Sequence, residues 1–89
     1  MDEHALILLE DWEDHLRAGG RSPKTIRSYL DTVRLFARSV DPVTAETREI
    51  TRWIGRTLPE ATTSRGTRYS AASLALHRRN LVQWFRFLV

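Results

Sequence analysis

The stretch GGRSPKTIRSYLDTVRLFARSV, residues 19–40, contains the signals that decide the fold. Gly19 and Gly20 predict the end of a helix, because glycine adopts the left-handed conformation of a C-terminal cap without steric cost. Ser22 is a preferred N-cap residue, and Pro23 suits the first helical position, where a missing N–H breaks no hydrogen bond. The stretch therefore predicts two helices joined by a tight corner.

The helix that follows the corner, predicted over about residues 23–39, has two unlike faces. One face is an apolar stripe that recurs at helical spacing and indicates burial: Ile26, Tyr29, Leu30, Val33, Phe36 and Ala37. The opposite face is charged and contains a single acid: Lys24, Arg27, Asp31, Arg34 and Arg38. Folding alone would be satisfied by many kinds of polar residue there, so the cations suggest an anionic partner.

Three further helices are predicted on either side of this segment. The first covers about residues 3–18, and the third covers about 45–57 with Thr44 as its N-cap. After the polar loop PEATTSRGTRY, the fourth begins near Ser70 and continues to the end of the sequence. No segment alternates with the two-residue period of a strand. The sequence therefore predicts an all-α four-helix bundle in one domain.

Charge is distributed very unevenly along the chain. Residues 1–14 contain six acids and no Lys or Arg, whereas residues 15–89 contain five acids and all 14 basic residues, a balance of +9. Thirteen of those 14 are arginine, whose planar guanidinium can donate two parallel hydrogen bonds to a phosphate. A basic body of this kind favours a polyanionic partner, most often nucleic acid.

Several classes of protein are disfavoured by what the sequence contains. It has no cysteine, and its histidines, His4, His15 and His77, do not have metal-ligand spacing. No apolar run approaches the ~20 residues of a membrane span. His77 falls on the apolar stripe of the fourth helix, which favours a packed histidine over a catalytic one. We expect no enzyme activity of this chain alone, no cofactor, no metal, no membrane partner and a cytoplasmic location.

The candidate DNA-binding residues come from two helices and the loop between the third and fourth. They combine cations with side chains that can hydrogen-bond to phosphates or base edges: Lys24, Thr25, Arg27, Arg34, Arg65, Arg68, Arg79 and Gln83. Thr25 lies in the first turn of its helix, where phosphates bind readily. We expect its hydroxyl and its backbone N–H to hold one phosphate together.

Both ends of the sequence resemble the N-terminal, core-binding domain of tyrosine recombinases, the phage-integrase family. The family pattern Ser-Pro-x-Thr-Ile/Val-x-x-Tyr is met by Ser22, Pro23, Thr25, Ile26 and Tyr29, and a Val and a Phe follow at positions 33 and 36. The aromatic-rich end of the family's fourth helix resembles the segment WFRFL, residues 84–88. Leu76 and Arg78 depart from the family's usual order, so base contacts are not carried over to them.

The resemblance implies a SAM-like bundle that forms half of a clamp around duplex DNA, with its second and fourth helices toward the major groove. It also implies that the catalytic residues lie in a following domain, so we interpret residues 1–89 as a core-binding domain separated from its catalytic domain. The partners implied are double-stranded DNA and that catalytic domain. We expect the parent protein to be a tetramer on DNA and this chain alone to be a monomer. We expect Phe87, which lies off the apolar stripe, to pack on the rest of the parent chain.

Two other functions stay open at this point. The acidic first helix is suited to a helical protein–protein interaction module. A free-standing helix-turn-helix regulator would use Gly19 and Gly20 as its turn.

Overall fold

A computed structural model describes residues 1–89 and contains four helices and no strand. They are α1 (Glu3–Ala18), α2 (Pro23–Ala37), α3 and α4 (Ala71–Leu88). Helix α3 has three consecutive parts: an α-helical segment (Thr47–Arg52), a π-helical turn (Trp53–Thr57) and a final α-helical turn (Leu58–Glu60). The predicted all-α four-helix architecture is confirmed.

The corner between α1 and α2 has the geometry that the two glycines predict. Gly20 has a φ of 79°, its N–H donates to the Arg17 carbonyl at 3.0 Å, and the Arg21 N–H donates to the Leu16 carbonyl at 3.1 Å. These two bonds form a Schellman motif, which satisfies carbonyls that the helix end would leave without partners. Helix α2 then starts at once, because the Ser22 hydroxyl accepts the Thr25 N–H at 3.2 Å.

Gly20 and Gly55 should respond in opposite ways to replacement by alanine. Gly20→Ala should destabilise the fold by about 1–2 kcal/mol, because an L-residue is strained at its positive φ. Gly55→Ala should stabilise it by about 0.5–1 kcal/mol, because Gly55 lies within α3 and an added Cβ would meet no atom within 4 Å. Urea unfolding followed by circular dichroism measures both. Equal changes in the free energy of unfolding for the two substitutions would contradict the positive φ of Gly20 and the helical position of Gly55.

The start of α3 differs from the prediction. Thr44 is not its N-cap, because the Thr44 N–H and the Val43 N–H both donate to the Asp41 carboxylate, at 3.2 and 2.9 Å, in a separate turn. These backbone bonds lower the pKa of Asp41. Helix α3 begins at Thr47, three residues after Thr44, and its N-cap is Glu46. The Glu46 N–H donates to the Glu49 side chain at 3.1 Å, which is one half of a capping box.

The π-helical turn brings two core residues of α3 onto the same face. Trp53 and Leu58 are five positions apart, and the Leu58 N–H donates to the Trp53 carbonyl. In an unbroken α-helix a separation of five would turn the second side chain away from the first. Both side chains are buried, and Trp53 packs edge-to-face on Phe36 with ring centroids 5.0 Å apart.

The core consists of two adjoining clusters. One joins α1, α2 and the C-terminal half of α4: Leu9, Trp12, Leu16, Ile26, Leu30, Val33 and Trp84. The other joins α2, α3 and α4: Phe36, Trp53, Leu58 and Leu81. Trp84 lies at the centre of the first cluster, and its indole N–H donates to the Pro42 carbonyl at 2.8 Å. Helix α4 is thereby fixed both to the bundle and to the segment between α2 and α3.

Phe87 is partly buried within the domain, and the expectation that it also packs on another part of a parent chain stays a prediction. Its ring lies 6.3 Å from that of Trp12 and 5.4 Å from that of His15, centroid to centroid. Helix α1 covers this flank of α4 near its C-terminal end. The apolar stripe of α4 is therefore wider there than the periodicity of α4 alone predicts.

A polar cluster connects α2 to α4 next to the apolar core. The Asn80 side-chain amide donates to the Ser28 hydroxyl at 3.1 Å and to the Thr32 hydroxyl at 3.0 Å. Thr32 Oγ1 also lies 2.7 Å from His77 Nδ1. Thr32 and Asn80 are buried and satisfied, and a fully satisfied buried polar group fixes the relative position of its helices. The two helices that carry most of the candidate DNA-binding residues are thus held together.

His77 makes the stability of the fold depend on pH. Burial lowers the pKa of His77 because it disfavours the charged imidazolium, and the carboxylate of Asp31 opposes this only in part. The unfolded chain then binds more protons than the folded one, so stability is complete above about pH 6.5 and falls as the pH is lowered through and below that value. In His77→Asn, which keeps a polar partner for Thr32, this dependence should disappear. Thermal unfolding at pH 5 and pH 7.5 compares the two proteins, and an unchanged dependence in the variant would contradict the assignment.

Candidate nucleic-acid interface

The predicted residues of α2 lie on its solvent face. Lys24, Arg27 and Arg34 are exposed, and only Arg34 has a carboxylate nearby, that of Asp31 at 3.7 Å. An exposed ion pair at this distance contributes little energy, so it leaves Arg34 free to exchange partners. The three cations therefore form one accessible basic edge along α2.

Thr25 differs in detail from what was expected. Its backbone N–H donates to the Ser22 hydroxyl at 3.2 Å, and the two hydroxyl oxygens lie 2.9 Å apart. The N–H is thus already used by the N-cap, and the expectation that it helps to hold a phosphate is wrong. The Ser22 hydroxyl donates to Thr25 Oγ1, so the hydrogen of the Thr25 hydroxyl can still reach an outside acceptor.

A cleft between α1 and α2 brings four arginines together. It has a volume of about 470 Å³, and its basic lining consists of Arg17, Arg21, Arg27 and Arg34. The Arg17 guanidinium is neutralised by Glu13 at 2.6 Å. Arg21 is not among the residues predicted from the sequence, although its position between the two glycines and Ser-Pro was a signal that could have indicated it.

The candidate residues of α4 are separated by one helical turn. Arg79 is exposed and has no carboxylate within 4.0 Å, whereas Gln83 is half-buried. Gln83 lines a second cleft, of about 540 Å³, together with Tyr29 and Arg21. Arg21 borders both clefts, so the α1–α2 corner links the arginines of α2 to Gln83 of α4.

The loop between α3 and α4 is an ordered hairpin-like turn. The Thr63 N–H donates to the Thr67 carbonyl at 2.6 Å, and Gly66 closes the turn with a φ of 78°. Arg65 and Arg68 are exposed on it. Residues 62–64 share a cleft of about 660 Å³ with Arg34 and Arg38, so the loop lies beside the C-terminal half of α2.

Few of the cations are neutralised within the chain. Both ion pairs join residues of the same helix, and the other 12 Lys and Arg side chains have no carboxylate within 4.0 Å. No group of three His, Cys, Asp or Glu side chains is placed to hold a metal ion. No helix is long and apolar enough to span a membrane. Apart from Arg17 and Arg34, the cations can therefore meet a polyanion without displacing an internal carboxylate.

Comparison with protein families gives a match over residues 9–89 to the phage integrase, N-terminal SAM-like domain. The chain belongs to this family. Searches among curated proteins and among solved structures gave no significant match. The match confirms the resemblance to the phage-integrase family that the helix corner and the aromatic end of α4 indicated. Residues 9–89 are an N-terminal SAM-like domain of this family, and the 89 residues contain no catalytic domain of a recombinase.

Within the integrase domain, the candidate residues fall into two groups and one isolated position. Arg27 and Arg34 share the α1–α2 cleft, with Lys24 and Thr25 on the same helix. Arg65 and Arg68 lie on the loop beside the far end of α2. Gln83 is joined to the first group through Arg21, and Arg79 stands alone on α4 next to the buried Asn80.

Proposed function

We propose that this domain binds double-stranded DNA as the N-terminal clamp of a tyrosine recombinase. The observation that supports this most is the accessible basic edge of α2, on an integrase-family fold in which a buried polar cluster holds α2 against α4. The fold gives α2 and α4 a fixed relative position, so one helix can approach the major groove, which admits a single α-helix, while the other is held beside it. Family membership favours this function over a free-standing helix-turn-helix regulator.

The contacts of the proposed interface divide by chemistry. Lys24, Arg27 and Arg34 would neutralise phosphates along one strand, and Arg65 and Arg68 of the loop would reach a neighbouring stretch of backbone. Gln83 and Arg79 carry donors that suit base edges, Gln for adenine and Arg for guanine. Phosphate contacts would set the position of the domain, and the α4 side chains would contribute sequence preference.

Arg21 is an additional candidate for a phosphate contact. It borders the cleft of Arg27 and the cleft of Gln83, and no carboxylate lies within 4.0 Å of it. An anion held between Arg21 and Arg27 would fix the α1–α2 corner against the DNA backbone. The unusual corner sequence would then serve both to turn the chain and to aim α2.

The chemistry of recombination would belong to a catalytic domain of the same parent protein. In that protein, strands would be cut and rejoined through a phosphotyrosine intermediate, and this domain would contribute affinity and position. We propose that the parent works in the cytoplasm and as a tetramer on DNA. Residues 1–89 would form the core-binding unit.

A salt titration with labelled duplex DNA tests the proposed function. Fluorescence anisotropy should give a dissociation constant of about 10⁻⁴–10⁻⁶ M, as is typical of non-specific contacts, because only one half of a clamp is present. The logarithm of affinity should fall linearly with the logarithm of salt concentration. No binding at about 50 mM salt and millimolar protein would contradict the proposal.

A further inference from the structure

The cleft between the α3–α4 loop and the C-terminal half of α2 also contains His77 of α4. This cleft, here called the loop cleft, has a volume of about 660 Å³ and is bordered by Arg34, Arg38 and residues 62–64. His77 lines it, and its ring packs edge-to-face on that of Tyr69 with centroids 5.5 Å apart. The half-buried ring of His77 is therefore part of a basic surface as well as of the packing between helices.

The two ring nitrogens of His77 have different surroundings. Nδ1 lies 2.7 Å from Thr32 Oγ1, inside the buried polar cluster. Nε2 has no hydrogen-bond partner within the chain, and it is not buried, because every buried side-chain nitrogen and oxygen has a partner. Since the ring lines the loop cleft, Nε2 is the atom of His77 that can meet a group from outside.

The hydrogen bonds around Thr32 can accommodate a charged His77 ring. The Thr32 hydroxyl accepts the Asn80 N–H at 3.0 Å and donates to the Ser28 carbonyl at 3.2 Å. Its oxygen has a second lone pair, which can accept the Nδ1–H of His77. A proton added at Nε2 therefore breaks no bond of the buried cluster, and it creates a new donor that faces the loop cleft.

The charged groups that face His77 come from α2, and they leave the loop cleft basic. Asp31 is the one acid that lines the cleft, and its carboxylate lies 3.7 Å from Arg34. Arg38 has no carboxylate within 4.0 Å. The loop contributes the phenol of Tyr69, while the residues of α3 that line the cleft are uncharged and α1 contributes none. Two guanidinium groups and an imidazole nitrogen without a partner suit one phosphate group.

We propose that His77 Nε2 contacts a backbone phosphate of bound DNA in the loop cleft, and that this contact takes up one proton. The proposal rests on the DNA-binding function proposed above and adds a residue from the packed side of α4 to the interface. The proton comes from water and bonds to the Nε2 lone pair, and no other covalent bond changes. Burial lowers the pKa of His77 in the free domain, and a phosphate close to Nε2 would raise it, because an opposite charge favours the charged ring. DNA binding and protonation of His77 would thereby strengthen each other by the same factor.

NMR of the imidazole nitrogens tests the contact at His77 itself. The ¹⁵N-labelled domain is titrated with acid, once free and once with an excess of a short DNA duplex. We expect the duplex to raise the pKa of His77. A duplex that shifts the amides of α2 but leaves the pKa of His77 unchanged would overturn this proposal and leave the DNA-binding function standing. A duplex that shifts no resonance would overturn both.

The affinity for the same duplex at pH 8 and pH 5.5 measures the size of the coupling. His77→Asn keeps a polar partner for Thr32 and places no titratable nitrogen in the loop cleft. Between pH 8 and pH 5.5, the wild-type affinity should increase about fivefold more than that of His77→Asn. His4→Gln, at an exposed position outside the loop cleft, should behave as the wild type. Circular dichroism checks that each protein is folded at both pH values, and an equal pH dependence in folded wild type and folded His77→Asn would overturn the proposal.

Discussion

Replacement of Arg27 and Arg79 together by alanine should lower the affinity for duplex DNA by at least about tenfold at low salt. Each arginine would lose charge-assisted hydrogen bonds, which are the strong ones in such interfaces. Because Arg27 is assigned to a phosphate and Arg79 to a base edge, the slope of log affinity against log salt should fall in magnitude by about one. Both side chains are exposed and off the core, so the folded state should be unaffected within about 0.5 kcal/mol.

The matched control is the double variant Arg48→Ala with Arg52→Ala, which removes the same charge from α3. The duplex should be about one helical turn long, so that only one domain binds and contacts between copies do not contribute. This control should change affinity only slightly, through the net charge. If it weakened binding as much as the Arg27 and Arg79 variant, charge alone would explain the affinity and the α2–α4 surface would be wrong.

Trp84→Ala should unfold much of the protein. The side chain is fully buried and packs edge-to-face on Trp12, with ring centroids 5.2 Å apart. Its indole N–H donates a hydrogen bond to the Pro42 carbonyl. Loss of a buried tryptophan costs about 3–5 kcal/mol through lost burial and the cavity left behind. Small domains have total stabilities near the low end of about 5–15 kcal/mol, so little would remain.

Two comparisons separate the contributions of Trp84. Trp84→Phe keeps an aromatic ring but removes the indole N–H, so it should cost less than alanine while leaving the Pro42 carbonyl without its donor. Gln83→Ala, at the neighbouring half-buried position, should change stability by no more than about 0.5 kcal/mol. Urea unfolding measures all three. A Trp84→Ala protein as stable as the wild type would contradict the central position assigned to this residue.

Helix starts were predictable where a single side chain decides them. Ser22 and Ser70 each accept the N–H three residues later, at 3.2 Å in both cases, which is a local bond that the sequence alone specifies. Thr44 failed because Asp41 accepts the Val43 and Thr44 N–H groups in a separate turn, and the Glu46 N–H donates to the Glu49 side chain. With several side-chain acceptors close together in sequence, local pattern does not determine which one caps the helix.

Features that depend on contacts between helices were less predictable. The burial of Thr32 and Asn80 results from the meeting of α2 and α4, and each looks like an ordinary polar residue in its own helix. Phe87 is covered because α1 crosses one flank of α4. The π-helical turn of α3 places Trp53 and Leu58 on one face at a spacing that a regular helix does not predict.

The candidate interface was predictable in its charges and only partly in its geometry. An arginine opposite an apolar stripe is exposed in any bundle, so Arg27, Arg34 and Arg79 lie where the periodicity placed them. The use of the Thr25 N–H by Ser22 and the position of Arg21 between two clefts depend on the shape of the corner. Hydrophobic periodicity predicts which face of a single helix is exposed, but it does not predict the clefts that form between helices.

Mapping of the DNA-bound surface by NMR tests the central claim most directly. The ¹⁵N-labelled chain would be titrated with a short duplex at low salt, and the amide and arginine side-chain resonances would be followed. We predict that the shifts concentrate on the solvent face of α2, at Arg21 and on the outer turns of α4 around Arg79 and Gln83. Shifts confined to Arg48, Arg52 and Arg56 of α3, or spread evenly over all exposed arginines, would contradict the proposed DNA-binding surface on α2 and α4.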